Sequence, residues 1–134
     1  MAVRSVSLIK KSVDSTAKTS VGTAYDSAKK ATLNLVMPEG FPYNFHLEGV
    51  FIQLSSISSA TKITMKLTQD SGGDEALVTA TESDIDVGVT TSSDGTVIYK
   101  IDLDYVFDSS PIYCYMKTDA GSVTVDSVTL TYHE

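Results

Sequence analysis

Apolar and polar side chains alternate along much of this chain. The clearest run is residues 63–68, in which every second side chain is apolar, and the pattern recurs at residues 97–103 and 128–132. A period of two indicates a β-strand with one face buried and the other in solvent. Several such strands, separated by clusters of Gly, Asp and Ser, are typical of antiparallel sandwiches and barrels.

Other segments add detail to this pattern. Residues 45–54 form the longest apolar stretch, which predicts a central strand buried on both faces, with a bulge or bend at Gly49. Ser127 interrupts the alternation near the end of the chain and predicts a second bulge. Turn residues at 94–95 and 119–121 predict two hairpins. No segment keeps the helical period over ten residues.

These elements predict an all-β fold. About eight strands are expected to form an antiparallel two-sheet β-sandwich, with jelly-roll or related Greek-key topology and an extended N-terminal arm. No internal repeat of fixed period occurs in the sequence, which disfavours a propeller or a solenoid.

Charge is distributed unevenly along the chain. The net charge of the 134 residues is −7, but residues 1–30 carry +4 and residues 31–134 carry −11. The sequence therefore predicts a basic, Ser/Thr/Lys-rich N-terminal strand and arm (1–30) attached to an acidic β-sandwich body (31–134). The arm is predicted to contact a partner through its basic side chains, which are Arg4, Lys10, Lys11, Lys18, Lys29 and Lys30.

The same charge pattern limits the possible partners. A phosphate backbone would meet a body surface of its own sign, so no nucleic-acid partner is expected. An acidic protein surface, on a neighbouring copy or on another protein, suits the basic arm better.

The single cysteine and the hydropathy place further limits. Cys114 cannot form an intramolecular disulfide and lies in an apolar run, so we expect a buried thiol. No window reaches the apolar length of a membrane span, and residues 6–9 are too short for the apolar core of a secretory signal. We expect synthesis as a soluble intracellular protein, without a membrane partner.

The sequence predicts no enzymatic activity. Nucleophilic catalysis needs a base, usually histidine, beside the nucleophile, and the chain has two histidines, His46 and His133. His46 lies at the start of an apolar strand and is interpreted as a structural or surface residue. Neither a Gly-x-Ser-x-Gly turn nor a phosphate-binding Gly-rich loop occurs, and no cofactor is expected.

Two groups of residues are candidates for ligand binding. Asp70, Asp74 and Glu75 flank a Gly-Gly pair and could bind calcium through carboxylate oxygens, although a solvated acidic loop is the preferred interpretation. The tyrosines Tyr43, Tyr113 and Tyr115 could line a ligand groove or a protein interface. Because Tyr113 and Tyr115 are two residues apart, they share one face of a strand, and packing in the core is the preferred alternative.

Four segments together carry a resemblance to a known family: residues 45–54, 63–68, 97–103 and 122–132. Their pattern resembles that of the jelly-roll head decoration (cement) proteins of tailed bacteriophages. The resemblance implies a non-enzymatic virion structural protein on the capsid surface, made in the host cytoplasm, which stabilises the shell by bridging coat subunits. Its expected partners are the major capsid protein or other virion subunits, and its expected state is a homotrimer or dimer.

The closing segment, residues 122–132, is also similar to that of carbohydrate-binding sandwiches. This second resemblance implies an alternative function, a carbohydrate- or receptor-binding module of a phage tail or cell-surface assembly.

Overall fold

The computed structural model describes residues 9–36, 45–83, 97–107 and 110–133. Within these ranges the chain forms nine strands and one 3₁₀-helix, Ser27–Lys29. The strands are β1 (Lys10–Asp14), β2 (Lys18–Val21), β3 (Ala31–Leu33), β4 (Phe45–Ser58), β5 (Lys62–Thr68), β6 (Ala76–Ser83), β7 (Val97–Phe107), β8 (Ile112–Thr118) and β9 (Ser122–His133). No helix in these ranges is long and apolar enough to cross a membrane. The hairpin predicted at 94–95 and Tyr43 lie outside the described residues.

The strands form two antiparallel sheets around one core. Sheet A has the order β1-β9-β4-β7, with β2 also paired to β9, and sheet B has the order β3-β8-β5-β6. Most strands that follow each other in sequence lie in opposite sheets, and among the described strands only β5 and β6 are consecutive and paired. This is the strand order of a jelly roll, in which two Greek keys enclose one core. The predicted two-sheet β-sandwich is confirmed.

The core lies between the sheets and is filled by alternating side chains. In β4 the inward residues Phe45 and Leu47 are followed by Val50, Ile52 and Leu54, all fully buried. The parity changes after Leu47 because the register with both neighbouring strands shifts between Leu47 and Gly49, which confirms the predicted bulge. A further register shift, next to the Gln53–Ser127 pair, confirms the second bulge.

The expectation that β4 is buried on both faces is wrong. The side chains between its inward residues, such as Phe51 and Gln53, are only half-buried. They lie on the outer face of sheet A, which points away from sheet B. A central strand of a two-layer sandwich has one buried face, because only one side of each sheet packs against the other layer.

The N-terminal segment is part of the sandwich from Lys10 onward. Strand β1 pairs with β9 from Lys10↔Tyr132 to Asp14↔Val128, and β2 continues along the same strand. Val21, at the end of β2, is 1% exposed and belongs to the core. This placement differs from the extended arm that the sequence predicts, because β9 offers an open row of N–H and C=O groups that β1 and β2 satisfy.

The hairpin predicted at residues 119–121 is wrong. Strand β8 pairs with β3 and β5, whereas β9 pairs with β1, β2 and β4, so the connection crosses from sheet B to sheet A. Its glycine serves a close approach: Gly121 has a φ of +63°, and a Cβ added there would lie 1.8 Å from the carbonyl oxygen of Ser58. The β8–β9 connection therefore packs directly on the end of β4.

Candidate functional site

Lys18, one of the predicted arm residues, forms an ion pair with Asp14. It is 8% exposed, its Nζ lies 3.2 Å from Asp14 Oδ2, and it donates a 2.8 Å hydrogen bond to the carbonyl of Thr16. Burial acts to raise the pKa of the Asp14 carboxyl, but hydrogen bonds from the N–H groups of Thr32 and Thr16, together with Lys18, outweigh burial and lower that pKa. In this structure the ammonium group of Lys18 is paired with a carboxylate of the same molecule.

The other predicted arm residues lie on several elements. At the 3₁₀-helix, Lys29 donates from Nζ to the carbonyl of Thr19 in β2, and Lys30 donates from Nζ to the carbonyl of Ser27 at 3.0 Å. Lys10 and Lys11 lie in β1, where Lys11 is exposed and Lys10 is half-buried. Arg4 lies outside the described residues. The described members of this set are therefore spread over three parts of the fold and do not converge on one site.

Tyr115 points outward from sheet B and is nevertheless buried. Its neighbours in β8, Cys114 and Met116, belong to the core, so Tyr115 lies on the opposite face, where it is only 3% exposed. The β5–β6 connection covers it: a Cβ at Gly73 would lie 2.9 Å from its Cζ, and its hydroxyl donates to the carbonyl of Ser71. Burial raises the pKa of the Tyr115 phenol. This tyrosine packs within the molecule and does not line an open groove.

A second tyrosine and two lysines surround Tyr115. The Tyr25 ring packs edge-on against the Tyr115 ring, with centroids 6.3 Å apart. Lys66 Nζ lies 4.4 Å from the Tyr25 centroid and 5.2 Å from that of Tyr115, and it donates a 2.7 Å hydrogen bond to the carbonyl of Gly73. Lys117 Nζ lies 4.8 Å from the Tyr25 centroid. We call Tyr25, Lys66, Tyr115 and Lys117 the lysine–tyrosine cluster.

Tyr113 and a cavity border this cluster. Tyr113 shares its strand face with Tyr115, as the sequence predicts, and Lys30 Nζ lies 5.9 Å from its ring centroid. The cavity has a volume of about 470 Å³. Its lining comes mainly from the segment that connects β2 to the 3₁₀-helix and includes Ser20, Thr23, Tyr25, Asp26, Lys29 and Met116. Tyr25 therefore belongs both to the cavity and to the cluster.

The calcium candidates Asp70, Asp74 and Glu75 belong to the β5–β6 connection, which is stabilised by hydrogen bonds among these residues. Asp70 Oδ1 accepts the N–H of Glu75 at 2.8 Å, and its Oδ2 accepts the N–H of Asp74 at 2.9 Å. These two donors lower the pKa of the Asp70 carboxyl. Among the described residues, no group of three or more His, Cys, Asp or Glu side chains is arranged to hold a metal ion. In this structure Asp70 shapes the loop that covers Tyr115.

The two histidines meet on the outer face of sheet A. His46 and His133 are cross-strand partners, with ring centroids 4.8 Å apart. His46 Nε2 lies 2.7 Å from Asp104 Oδ1, and His133 Nε2 lies 2.6 Å from Glu48 Oε1. Each ring is thus held by a carboxylate on the surface of the sheet, in agreement with the interpretation of His46 as a surface residue.

Exposed apolar side chains gather on the same sheet. Four large apolar residues are exposed among the described residues, and three of them lie in or beside sheet A. Ile9, directly before β1, is 69% exposed, Val13 in β1 is 50% exposed, and Val106 in β7 is 59% exposed. The half-buried Phe51 lies between them in β4. Single exposed apolar residues are ordinary, but several on one sheet face indicate an interaction surface.

Cys114 is the buried thiol that the sequence predicts. It is 0% exposed and unpaired, and burial raises the pKa of its thiol to about 12. The reactive thiolate is therefore negligible at neutral pH.

Asp119 links the β8–β9 connection to the start of β5 by hydrogen bonds. Its Oδ2 accepts the Thr61 hydroxyl at 2.6 Å, and its Oδ1 accepts the N–H groups of Thr61 and Lys62, each at 2.9 Å. These donors, the hydroxyl first, hold the pKa of the Asp119 carboxyl far below its usual range. The folded protein therefore favours the ionised carboxylate.

We expect Asp119→Asn to lower stability at pH 7 and to reduce its loss in acid. The folded-state pKa lies below the unfolded value of about 3.9, so the contribution is present above about pH 4 and is lost as the pH falls toward the folded-state pKa. Urea midpoints at pH 7 and pH 3 should differ less for the variant than for the wild type. Glu75→Gln, exposed on its loop, should keep the wild-type difference. An unchanged difference in Asp119→Asn would contradict this role.

Comparison with known proteins places the chain in no family. No protein-family model and no curated protein matches the sequence. Similar solved structures include dimeric latent PorU from Porphyromonas gingivalis, with a TM-score of 0.47 and 10% identity. The match covers 96% of this chain and 13% of the PorU chain.

An exo-β-1,3-galactanase from Phanerochaete chrysosporium (TM-score 0.40, 11% identity) covers 94% of this chain and 29% of that one. The VP2 subviral particle of infectious bursal disease virus (TM-score 0.39, 14% identity) covers 96% and 33%. The chain thus spans at most about a third of these proteins. None of these TM-scores reaches 0.5, so the fold assignment rests on the strand order itself.

Proposed function

We propose that this protein is a non-enzymatic structural component of a virion that decorates and stabilises a phage capsid by bridging coat subunits. The observation that carries the proposal is the outer face of sheet A, on which Ile9, Val13 and Val106 are 50–69% exposed. A partner that removes such side chains from water gains free energy in proportion to the apolar area it covers. The resemblance of the strand pattern to decoration proteins supports a coat subunit as that partner.

The positions of the apolar residues suit a bridging role. Ile9 and Val13 lie at the β1 margin of sheet A, and Val106 lies in β7 at the other margin. One copy seated across a junction would contact a different coat subunit at each margin. A protein that binds the assembled shell better than the free subunits stabilises the shell by mass action. A homotrimer or dimer would match the symmetry of repeated lattice points.

Stripping and re-adding the protein tests this function. Capsids purified from the phage that encodes this chain should carry it, and the recombinant protein should rebind capsids from which it was removed. The double variant Val13→Lys, Val106→Lys should bind about tenfold more weakly or worse. Each valine is already about half-buried, so covering it contributes about half of the roughly 1.5–3 kcal/mol of full burial. Sedimentation with the capsids, followed by quantification of the bound chain, measures the occupancy.

A matched variant controls for the added charge. Thr79→Lys places the same side chain at an exposed position of β6, in sheet B, and should bind like the wild type. Purified particles without this chain would refute the virion assignment. Equal binding of the double variant and the wild type would refute docking through sheet A.

A second candidate function is the carbohydrate- or receptor-binding module. The lysine–tyrosine cluster with its cavity favours it. Lys66, Tyr115 and Lys117 project from sheet B, and the cavity lies beside them, lined mainly by the segment between β2 and the 3₁₀-helix.

A further inference from the structure

We propose that the lysine–tyrosine cluster and the adjoining cavity bind a carbohydrate that carries carboxylate groups, such as a uronic acid oligomer. This inference goes beyond the proposed capsid function and does not rest on it. The site is built from other residues than the proposed docking face, and three of its features support the inference: the charge, the aromatic ring and the cavity.

The cluster brings two ammonium groups to one aromatic ring, while the carboxylates of Asp70 and Asp74 act electrostatically on its other ring, Tyr115. The ammonium groups of Lys66 and Lys117 lie 4.4 and 4.8 Å from the centroid of the same Tyr25 ring. The described contacts of these two ammonium groups are with the aromatic rings and, for Lys66, with the carbonyl of Gly73. Two like charges on one ring repel each other, and an anion placed near both removes that cost. The protein as a whole has a charge of −7, so this positive charge is a local feature.

The aromatic ring of Tyr25 is held in place by its contact with Tyr115. Tyr25 packs edge-on against Tyr115, and Tyr115 is fixed by the loop that carries Gly73. Tyr25 itself is half-buried, so part of its side chain is open to a ligand. The apolar ring and polar hydroxyl of tyrosine suit a sugar, which presents both C–H and O–H groups. The sequence contains no tryptophan, so tyrosine is the aromatic residue available for this contact.

The cavity supplies a concave surface of suitable size. Its volume of about 470 Å³ falls within the roughly 300–1,000 Å³ of ligand pockets. Ser20, Thr23 and Asp26 are among its lining residues, and side chains of these types can exchange hydrogen bonds with sugar hydroxyls. Tyr25 joins the cavity to the two ammonium groups, so a sugar in the cavity can direct its carboxylate toward Lys66 and Lys117.

The shape of the site favours a sugar over an acidic protein as the source of the anion. A concave site fits a compact sugar better than the flat surface of an acidic protein. A sugar that carries a carboxylate therefore suits the cavity and the two ammonium groups together.

Calorimetric titration with trigalacturonate, against the neutral trigalactose of the same length, tests the site. The acidic trimer should bind, and the neutral trimer should bind at least about tenfold more weakly, because it lacks the charged hydrogen-bond partner of the lysines. Lys66→Gln and Lys117→Gln should each weaken binding of the acidic trimer about tenfold. Added salt should weaken it further. Lys62→Gln, exposed at the start of the same strand β5, should bind like the wild type.

A second variant keeps the test independent of folding. Lys66 also bonds the carbonyl of Gly73, so its loss could disturb the loop, whereas Lys117 makes its described contact with the Tyr25 ring alone. Lys117→Gln with an unchanged amide NMR spectrum elsewhere therefore isolates the charge. Equal binding of both trimers, no binding of the acidic trimer at millimolar concentration, or equal losses in Lys62→Gln would overturn the proposal. Binding of poly-glutamate without trigalacturonate would assign the site to an acidic protein instead. None of these outcomes bears on capsid binding, which the sheet A variants measure.

Discussion

Gly121→Ala is expected to lower the free energy of unfolding by about 2–5 kcal/mol. An added Cβ would lie 1.8 Å from the carbonyl oxygen of Ser58 and 2.9 Å from its carbonyl carbon, both of which are backbone atoms that cannot rotate away. The residue also has a φ of +63°, which costs an L-amino acid about 1–2 kcal/mol. Overpacking adds about 1–3 kcal/mol. Such a loss is a large part of the roughly 5–15 kcal/mol that stabilises a domain.

Gly22→Ala is the matched control for this change. A Cβ at Gly22 would meet only the carbonyl oxygen of Gly121, at 4.0 Å, which is ordinary contact. Urea unfolding of the two variants should therefore give a much lower midpoint for Gly121→Ala than for Gly22→Ala. Similar midpoints for the two would show that the β8–β9 connection does not press on β4 as described.

Tyr132→Ala is expected to cost about 3–5 kcal/mol, the range for truncating a large buried aromatic residue. Tyr132 is fully buried, and its ring packs edge-on against Phe45 with centroids 5.6 Å apart. Its hydroxyl accepts the N–H of Val36 at 2.8 Å, which joins β9 in sheet A to the segment that follows β3 in sheet B. The residue therefore fills the core and links the two layers.

Tyr132→Phe separates these two contributions. It keeps the ring and leaves the partly buried N–H of Val36 without its acceptor, at a cost of about 1–3 kcal/mol. Chemical unfolding should rank the wild type above Tyr132→Phe and Tyr132→Phe above Tyr132→Ala. A Phe variant as unstable as the Ala variant would contradict the packing role of the ring.

The sequence predicts the fold well because strand alternation is a local signal. Each inward position of β5 and of the second half of β9 can be identified from its neighbours, and the bulges at Gly49 and near Ser127 appear as interruptions of that alternation. Turn composition is also local, but it does not state which strands pair afterwards. Residues 119–121 have the composition of a hairpin turn and instead cross between the sheets.

The N-terminal segment shows the limit of composition. Strands β1 and β2 are short and rich in Ser, Thr and Lys, so their own residues favour a loop. Their pairing with β9, more than a hundred residues later in the chain, supplies the hydrogen bonds that order them. A charge count cannot show this, because it does not say where each lysine bonds.

The candidate site was only partly predictable for a similar reason. Lys66 and Lys117 occupy outward positions that the alternation of β5 and β8 identifies, and the shared face of Tyr113 and Tyr115 follows from their spacing. Tyr25 comes from a segment without any periodic pattern, and its approach to the sheet depends on the path of that segment. The burial of Tyr115 likewise depends on how the β5–β6 loop folds back.

The position of β9 has a consequence for how the molecule assembles during synthesis. This strand, the last one in the described chain, lies in the interior of sheet A, between β4 and the two N-terminal strands. Sheet A therefore cannot close until β9 has left the ribosome, and until then one edge of β4 lacks its hydrogen-bonding partner. Pairing over such long separations is slow, so the nascent chain exposes an unpaired strand edge that favours aggregation.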